Sequence, residues 1–237
     1  MKRSDFFQFT NGDKVPLPFS DKEYENRLRG LRKIIEENNL DAVILTSLQN
    51  IAYYSGFLYC SFGRQFACVV TPKRNVVISP QLDAGQPGRR SYGENLIYTD
   101  WKKDNYFKAI VHVLGKVKKV GVEEDHLTIE RHQKLKDSLS NPKIIDISPA
   151  SMSQRMIKSD EEIALIRSGA KIADIGGAAM IGVYASLVWG TVLVCLYDWQ
   201  MKRWNLDQLT ASEGGDLNEA EPQVRHGLTG ALKTRVE

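Results

Sequence analysis

Arg64 closes an aromatic run, Tyr53, Tyr54, Phe57, Tyr59 and Phe62, and is the one charge between Asn50 and itself. A guanidinium offers a planar fork of donors matched to a carboxylate, and neighbouring rings exclude the water that would weaken such an ion pair. Gly63, between Phe62 and Arg64, supplies a hinge. Two readings stand: Arg64 grips a small carboxylate, or it stacks on Tyr or Phe at the surface. Arg89 and Arg90 form a second basic pair after Gly85, Gln86, Pro87 and Gly88. In that loop they bind an anion, brace an interface or simply face water.

A complete reaction centre is not visible beside them. His112 stands in an apolar helical context, His126 and His132 flank a charged segment, and His226 lies in a polar tail, none at ligand spacing from a partner. HExxH, GxSxG, P-loop and GxGxxG patterns are absent, so metal-assisted hydrolysis, serine hydrolysis and nucleotide binding lack local support. Glu123, Glu124 and Asp125 follow a strand-like run and read as a solvated loop rather than a general-base pair. No metal or cofactor is expected.

The 237 residues, 42% apolar and 26% charged, suffice for one large domain with a real core. A net charge of +3, with both signs interspersed, gives no field for nucleic acid. Cys60, Cys68 and Cys195 show no CxxC spacing, and the first residues carry no apolar segment with a cleavage site, so a reduced, cytoplasmic chain is expected.

The elements that would position Arg64 alternate between helix and strand. Ser20 to Glu23 forms a capping box, and Leu28, Leu31, Ile34 and Ile35 follow at helical spacing, predicting a helix over 21–38 whose Arg- and Glu-rich outer face is solvated. Residues 42–46 read as a buried strand, Ser47 caps a helix stopped by Gly56, and 66–71 with 75–79 form a hairpin. Further strands are expected at 96–99, 119–123 and 144–147, with helices at 106–114 and 127–139. The fold class is α/β: about six strands in a mixed sheet flanked by helices. A boundary follows near 149–159, and a second capping box from Ser159 to Glu162 opens a long helix.

Several segments together resemble the creatinase (creatine amidinohydrolase) family. They are residues 57–64 (FLYCSFGR), 83–87 (DAGQP) with Arg89 and Arg90, 98–101 (YTDW), 104–107 (DNYF), 155–159 (RMIKS) and 173–179 (ADIGGAA). The likeness runs from about Asn11 to Ala179, roughly three quarters of the chain. It implies the family's amino-terminal α/β domain over 1–154, a linker with the first helix of the pita-bread catalytic domain over 155–180, and a divergent segment over 181–237. Such enzymes hydrolyse creatine to sarcosine and urea without a metal, at a dimer interface where the amino-terminal domain lends a Phe and an Arg to the partner's pocket; Phe62 and Arg64 stand at those positions. The resemblance thus implies a homodimer or a full-length creatinase-like subunit as partner, and a creatine-like small carboxylate as ligand.

Nothing after Met180 resembles the pita-bread domain, where the family keeps its acid/base His and its guanidinium-holding carboxylates. Without that His, proton transfer loses on the order of 10²–10⁴ in rate, so a truncated protein inactive alone is expected. Instead, residues 175–197, opening on Ile175 and closing on Tyr197, carry no charge and are followed by Trp199, Lys202, Arg203 and Trp204. That length suits a membrane span with an interfacial aromatic and basic flank, or else the segment packs on the domain or stays exposed. Residues 207–237 read as a disordered polar tail.

Overall fold

The computed structural model of the chain describes residues 4–60, 63–102 and 104–213, with side chains as far as Asn205. Phe62, His226 and most of the expected tail therefore lie outside the described residues. In chain order the elements are β1 (Phe6–Phe7), α1 (Asp21–Glu37), β2 (Ala42–Leu45), α2 (Leu48–Ser55), β3 (Ala67–Val70), β4 (Asn75–Pro80), a 3-10 turn (Gln81–Asp83), α3 (Pro87–Arg90), β5 (Glu94–Tyr98), α4 (Asn105–Leu114), β6 (Lys119–Val122), α5 (Ile129–Ser138), β7 (Lys143–Asp146), α6 (Ser148–Met156) and α7 (Asp160–Glu213).

The strands make one mixed sheet in the order β1-β5-β4-β3-β2-β6-β7. The β2, β3 and β4 neighbours pair antiparallel, as does β1 on β5, while β6 pairs parallel to both β2 and β7, and β5 parallel to β4. Side chains alternate across β2: Val43 and Leu45 join the cluster containing Leu28, Leu31, Ile51 and Tyr54, and Ile44 joins that of Tyr106, Ile110 and Leu135. Helices on both faces bury the central strands completely, which is why they read as unbroken apolar runs. Each such side chain contributes about 1.5–3 kcal/mol relative to exposure.

The α1 cap differs from its sequence reading. Ser20 Oγ accepts from Glu23 N at 3.2 Å, but Glu23 turns to Arg27, and Glu161 supplies the reciprocal contact by accepting from Ser20 N at 2.9 Å. The outer face of α1 is likewise not all solvated. Arg27 is buried, 2.8 Å from Glu23 and 3.2 Å from Glu162, with its guanidinium over the rings of Phe19 and Tyr53. The second box forms in full, Ser159 N donating to Glu162 and Glu162 N to Ser159 Oγ.

Three elements exceed the sequence expectation, the first being α3, which makes a short helix of the Pro87–Arg90 segment read as a loop. The seventh strand, β1, pairs Phe6 with Tyr98 and Phe7 with Ile97. The boundary region is helical, since Pro149 falls in the first turn of α6, where its missing N–H costs nothing.

By contact density the chain divides into two units, residues 1–166 and 167–237. In the second, α7 runs unbroken to Glu213, past the point where the polar tail was expected to begin. Its most apolar window has a mean hydropathy of 2.0 and no buried residue. The two aliphatic hydroxyls inside this stretch are satisfied by the helix itself: Ser186 donates to the Gly182 carbonyl and Thr191 to that of Leu187, both at 2.8 Å.

Candidate functional site

Gly63 has φ of 80°, the left-handed region that glycine enters without strain, and it turns the chain out of the aromatic run toward Arg64. The next residue is clamped: Tyr98 hydroxyl donates to the Gln65 carbonyl at 3.0 Å and lies 3.3 Å from the Gln65 N–H. A fixed backbone at 65 sets the direction in which Arg64 leaves the chain. Its Nη1 lies 3.4 Å from Asp100 Oδ1, while half of the Arg64 side chain stays exposed. An ion pair this open contributes at most about 1 kcal/mol, so its effect is orientation rather than stability. Asp100 is held in turn, Oδ2 accepting from Leu82 N at 3.3 Å. Burial first, and the Asp100 charge second, push the Asp83 carboxyl up from its usual range.

Arg64 also lines a cavity of about 280 Å³ at the carboxyl end of β2. Aromatic walls come from Tyr59, Phe66, Tyr106 and Phe107, and the polar lining includes Thr46, His126 and Arg131. Tyr59 stacks on Phe66 with ring centroids 3.8 Å apart, and burial pushes its phenol up to about 12. His126 is fixed by a 3.0 Å contact between Nδ1 and Thr46 Oγ1.

Behind this wall, Glu123 corrects the reading of the acidic run. Only Glu124 and Asp125 are solvated; Glu123 is buried. Its carboxylate sits at the amino end of α2, accepting from the backbone N–H groups of Thr46 and Ser47, from Ser47 Oγ and from Asn50 Nδ2. Charge at a helix amino terminus is stabilised by the unpaired N–H groups there. Glu123 is thus a structural anchor for the β2–α2 turn.

The remaining sequence candidates separate. Arg89 donates from Nε to the Asp13 carbonyl at 3.2 Å, tying down the amino-terminal segment, and Arg90 is exposed. His112 is exposed against Phe6, with ring centroids 4.5 Å apart. Cys68 donates to Asn75 Oδ1 at 3.0 Å, and burial pushes its thiol far up, leaving it inert. Sequence reasoning missed the gathering of Thr46, His126 and Arg131, because the first two come from separate turns and the third from α5, with no shared spacing.

Comparison with known proteins matches the sheet and its helices. The Creatinase/Prolidase N-terminal domain family covers residues 27–157, more than half of the chain. Creatinase of Bacillus sp. (strain B-0618) is 48% identical over 174 residues, 72% of this chain and 42% of that relative. An uncharacterized peptidase of Staphylococcus aureus (strain bovine RF122 / ET3-1) is 28% identical over 149 residues, 61% of this chain and 41% of the relative. This chain therefore spans about two fifths of the length of these relatives. An Xaa-Pro dipeptidase structure from Bacillus anthracis shares the fold at a TM-score of 0.56 and 22% identity, over 67% of this chain and 43% of that one. With the family match over more than half of its residues, and a mixed sheet whose fold is shared with such a structure, the chain belongs to the creatinase/prolidase amino-terminal domain family.

Proposed function

We propose that residues 1–154 form a creatinase-like amino-terminal module that presents Arg64, with Phe62, to the carboxylate of a creatine-like substrate. The catalytic domain completing that site comes from a full-length creatinase-like partner chain; a homodimer of these residues would pair two such modules without it. The observation that carries this reading is the 48% identity to creatinase over 174 residues, together with a family match over residues 27–157 that includes Arg64. The geometry is compatible: Arg64 is oriented by Asp100 and keeps donors free for a bidentate carboxylate contact. In this reading residues 155–180 are a linker and first helix toward the catalytic domain, and the family reaction is creatine plus water to sarcosine plus urea. These 237 residues alone then release no urea from creatine, and the compartment is cytoplasmic.

The test is complementation. A full-length creatinase whose arginine aligned with Arg64 has been replaced is mixed with this chain, and urea is measured. Activity returns with the natural chain and not with Arg64→Ala. Robust turnover by this chain alone, abolished by Arg64→Ala, overturns the proposal.

A second reading rests on a separate observation, the uncharged and wholly exposed window of α7 with its Ser186 and Thr191 hydroxyls bonded inside the helix. A helix whose polar groups are internally satisfied can enter hydrocarbon. In this reading α7 tethers the module to a membrane, with Trp199 and Arg203, in cation–π contact at 5.6 Å, at the interface. Carbonate-resistant association with membranes supports the tether; complete extraction rejects it.

A further inference from the structure

The cavity beside Arg64 has the features of a ligand site in its own right, within one chain. Two guanidinium groups line it, and they are not equivalent. Arg64 already engages Asp100, whereas Arg131, on α5 and only partly exposed, has no carboxylate partner among the described residues. Gln65 also lines the cavity, and its Oε1, an acceptor buried without a hydrogen-bond partner among the described residues, would meet a donor on the ligand's body and not its carboxylate. Thr46, Gln49 and His126 add polar groups, and the apolar part of the wall comes from the Tyr59 and Phe66 rings, Tyr106, Phe107 and Leu135.

We infer that this cavity binds a small organic monocarboxylate with an aromatic or branched aliphatic body, its carboxylate held by Arg131. The volume of about 280 Å³ admits one such molecule and excludes a nucleotide or a peptide of any length. Groups facing the anion are favourable in sum. Arg131 acts on the phenols of Tyr59 and Tyr106, where its charge opposes the rise caused by burial. Glu123 is the carboxylate that acts on both rings, and four donors already absorb its charge. His126, anchored through Nδ1 on Thr46, holds its ring at the cavity wall. The inference needs neither a partner subunit nor the creatinase reading, since Arg131 and not Arg64 carries it.

The experiment is a fluorine NMR titration of 4-fluorobenzoate into the full chain in detergent micelles, with 4-fluorobenzyl alcohol as the uncharged counterpart. Saturable binding of the acid is expected, at least about tenfold tighter than the alcohol. Arg131→Gln weakens it at least about tenfold, Arg64→Gln by less than about threefold, and Gln49→Trp, at the exposed rim of the cavity, blocks it. Each variant is checked for an unchanged melting transition. Equal binding of acid and alcohol, a signal that protein-free micelles reproduce, or full affinity in a folded Arg131→Gln variant overturns the inference. Loss through Arg64→Gln alone also overturns it, while leaving the complementation result untouched.

Discussion

Glu123 accepts from four donors and is 1% exposed, so truncating it strands buried N–H and hydroxyl groups together. Glu123→Ala is expected to cost about 3 kcal/mol or more, read as a lowered urea midpoint at unchanged slope. Sequence alone does not identify this residue. Glu123, Glu124 and Asp125 are equivalent as text, and only the pairing of β6 beside β2 carries the first of them beneath α2. Arg64 was visible for the opposite reason: its isolation among rings is a local property. Tyr59 adds a prediction at high pH. The unfolded chain loses that phenolic proton near its ordinary value of 10.0 and the folded chain only near 12. Between those values the unfolded state binds fewer protons, so stability falls as pH rises from about 10 to about 12. Tyr59→Phe removes that part of the slope, measured by denaturant unfolding across this window.

Among the elements, β6 depends on a residue with no side chain. A methyl on Gly121 would stand 2.8 Å from Ile147 Cγ2, and 2.9 Å from both Leu40 Cδ1 and Val43 Cγ2. Gly121→Ala should therefore destabilise by roughly 1–3 kcal/mol through overpacking, despite its better intrinsic propensity, and thermal melting will register it. Helices and strands with local signals were legible: Ser47 and Gly56 bracket α2, and Thr71 N donates to the Arg74 carbonyl at 2.9 Å in the β3–β4 turn. Two residues of β1 have no period to detect, and their strand exists only because β5 offers an edge. Arg27 illustrates a related limit. Helical spacing shows which residues share a face of α1, but not that Glu162 and the Phe19 ring close over it.

At the scale of the whole molecule, the sheet unit does not end where α6 ends. Glu161 and Glu162, the start of α7, hold Ser20 and Arg27 of the first helix region. A chain stopped at residue 158 loses both contacts and leaves a buried guanidinium with one carboxylate. It should be about 2 kcal/mol less stable than one stopped at residue 166. For a domain of this size, calorimetry should place its melting temperature about 5 °C lower. That dependence was half legible, since the box from Ser159 to Glu162 announced a helix start but not its partner across the chain.

The register of β2 has a consequence for synthesis. Ala42, Val43 and Ile44 take as parallel neighbours Val120, Gly121 and Val122, which leave the ribosome long after them. Until then, the β2–β3–β4 hairpins present an open apolar edge, since such long-range pairings form late. Nascent chains paused before Lys119 are therefore expected to aggregate more readily than chains paused after β7.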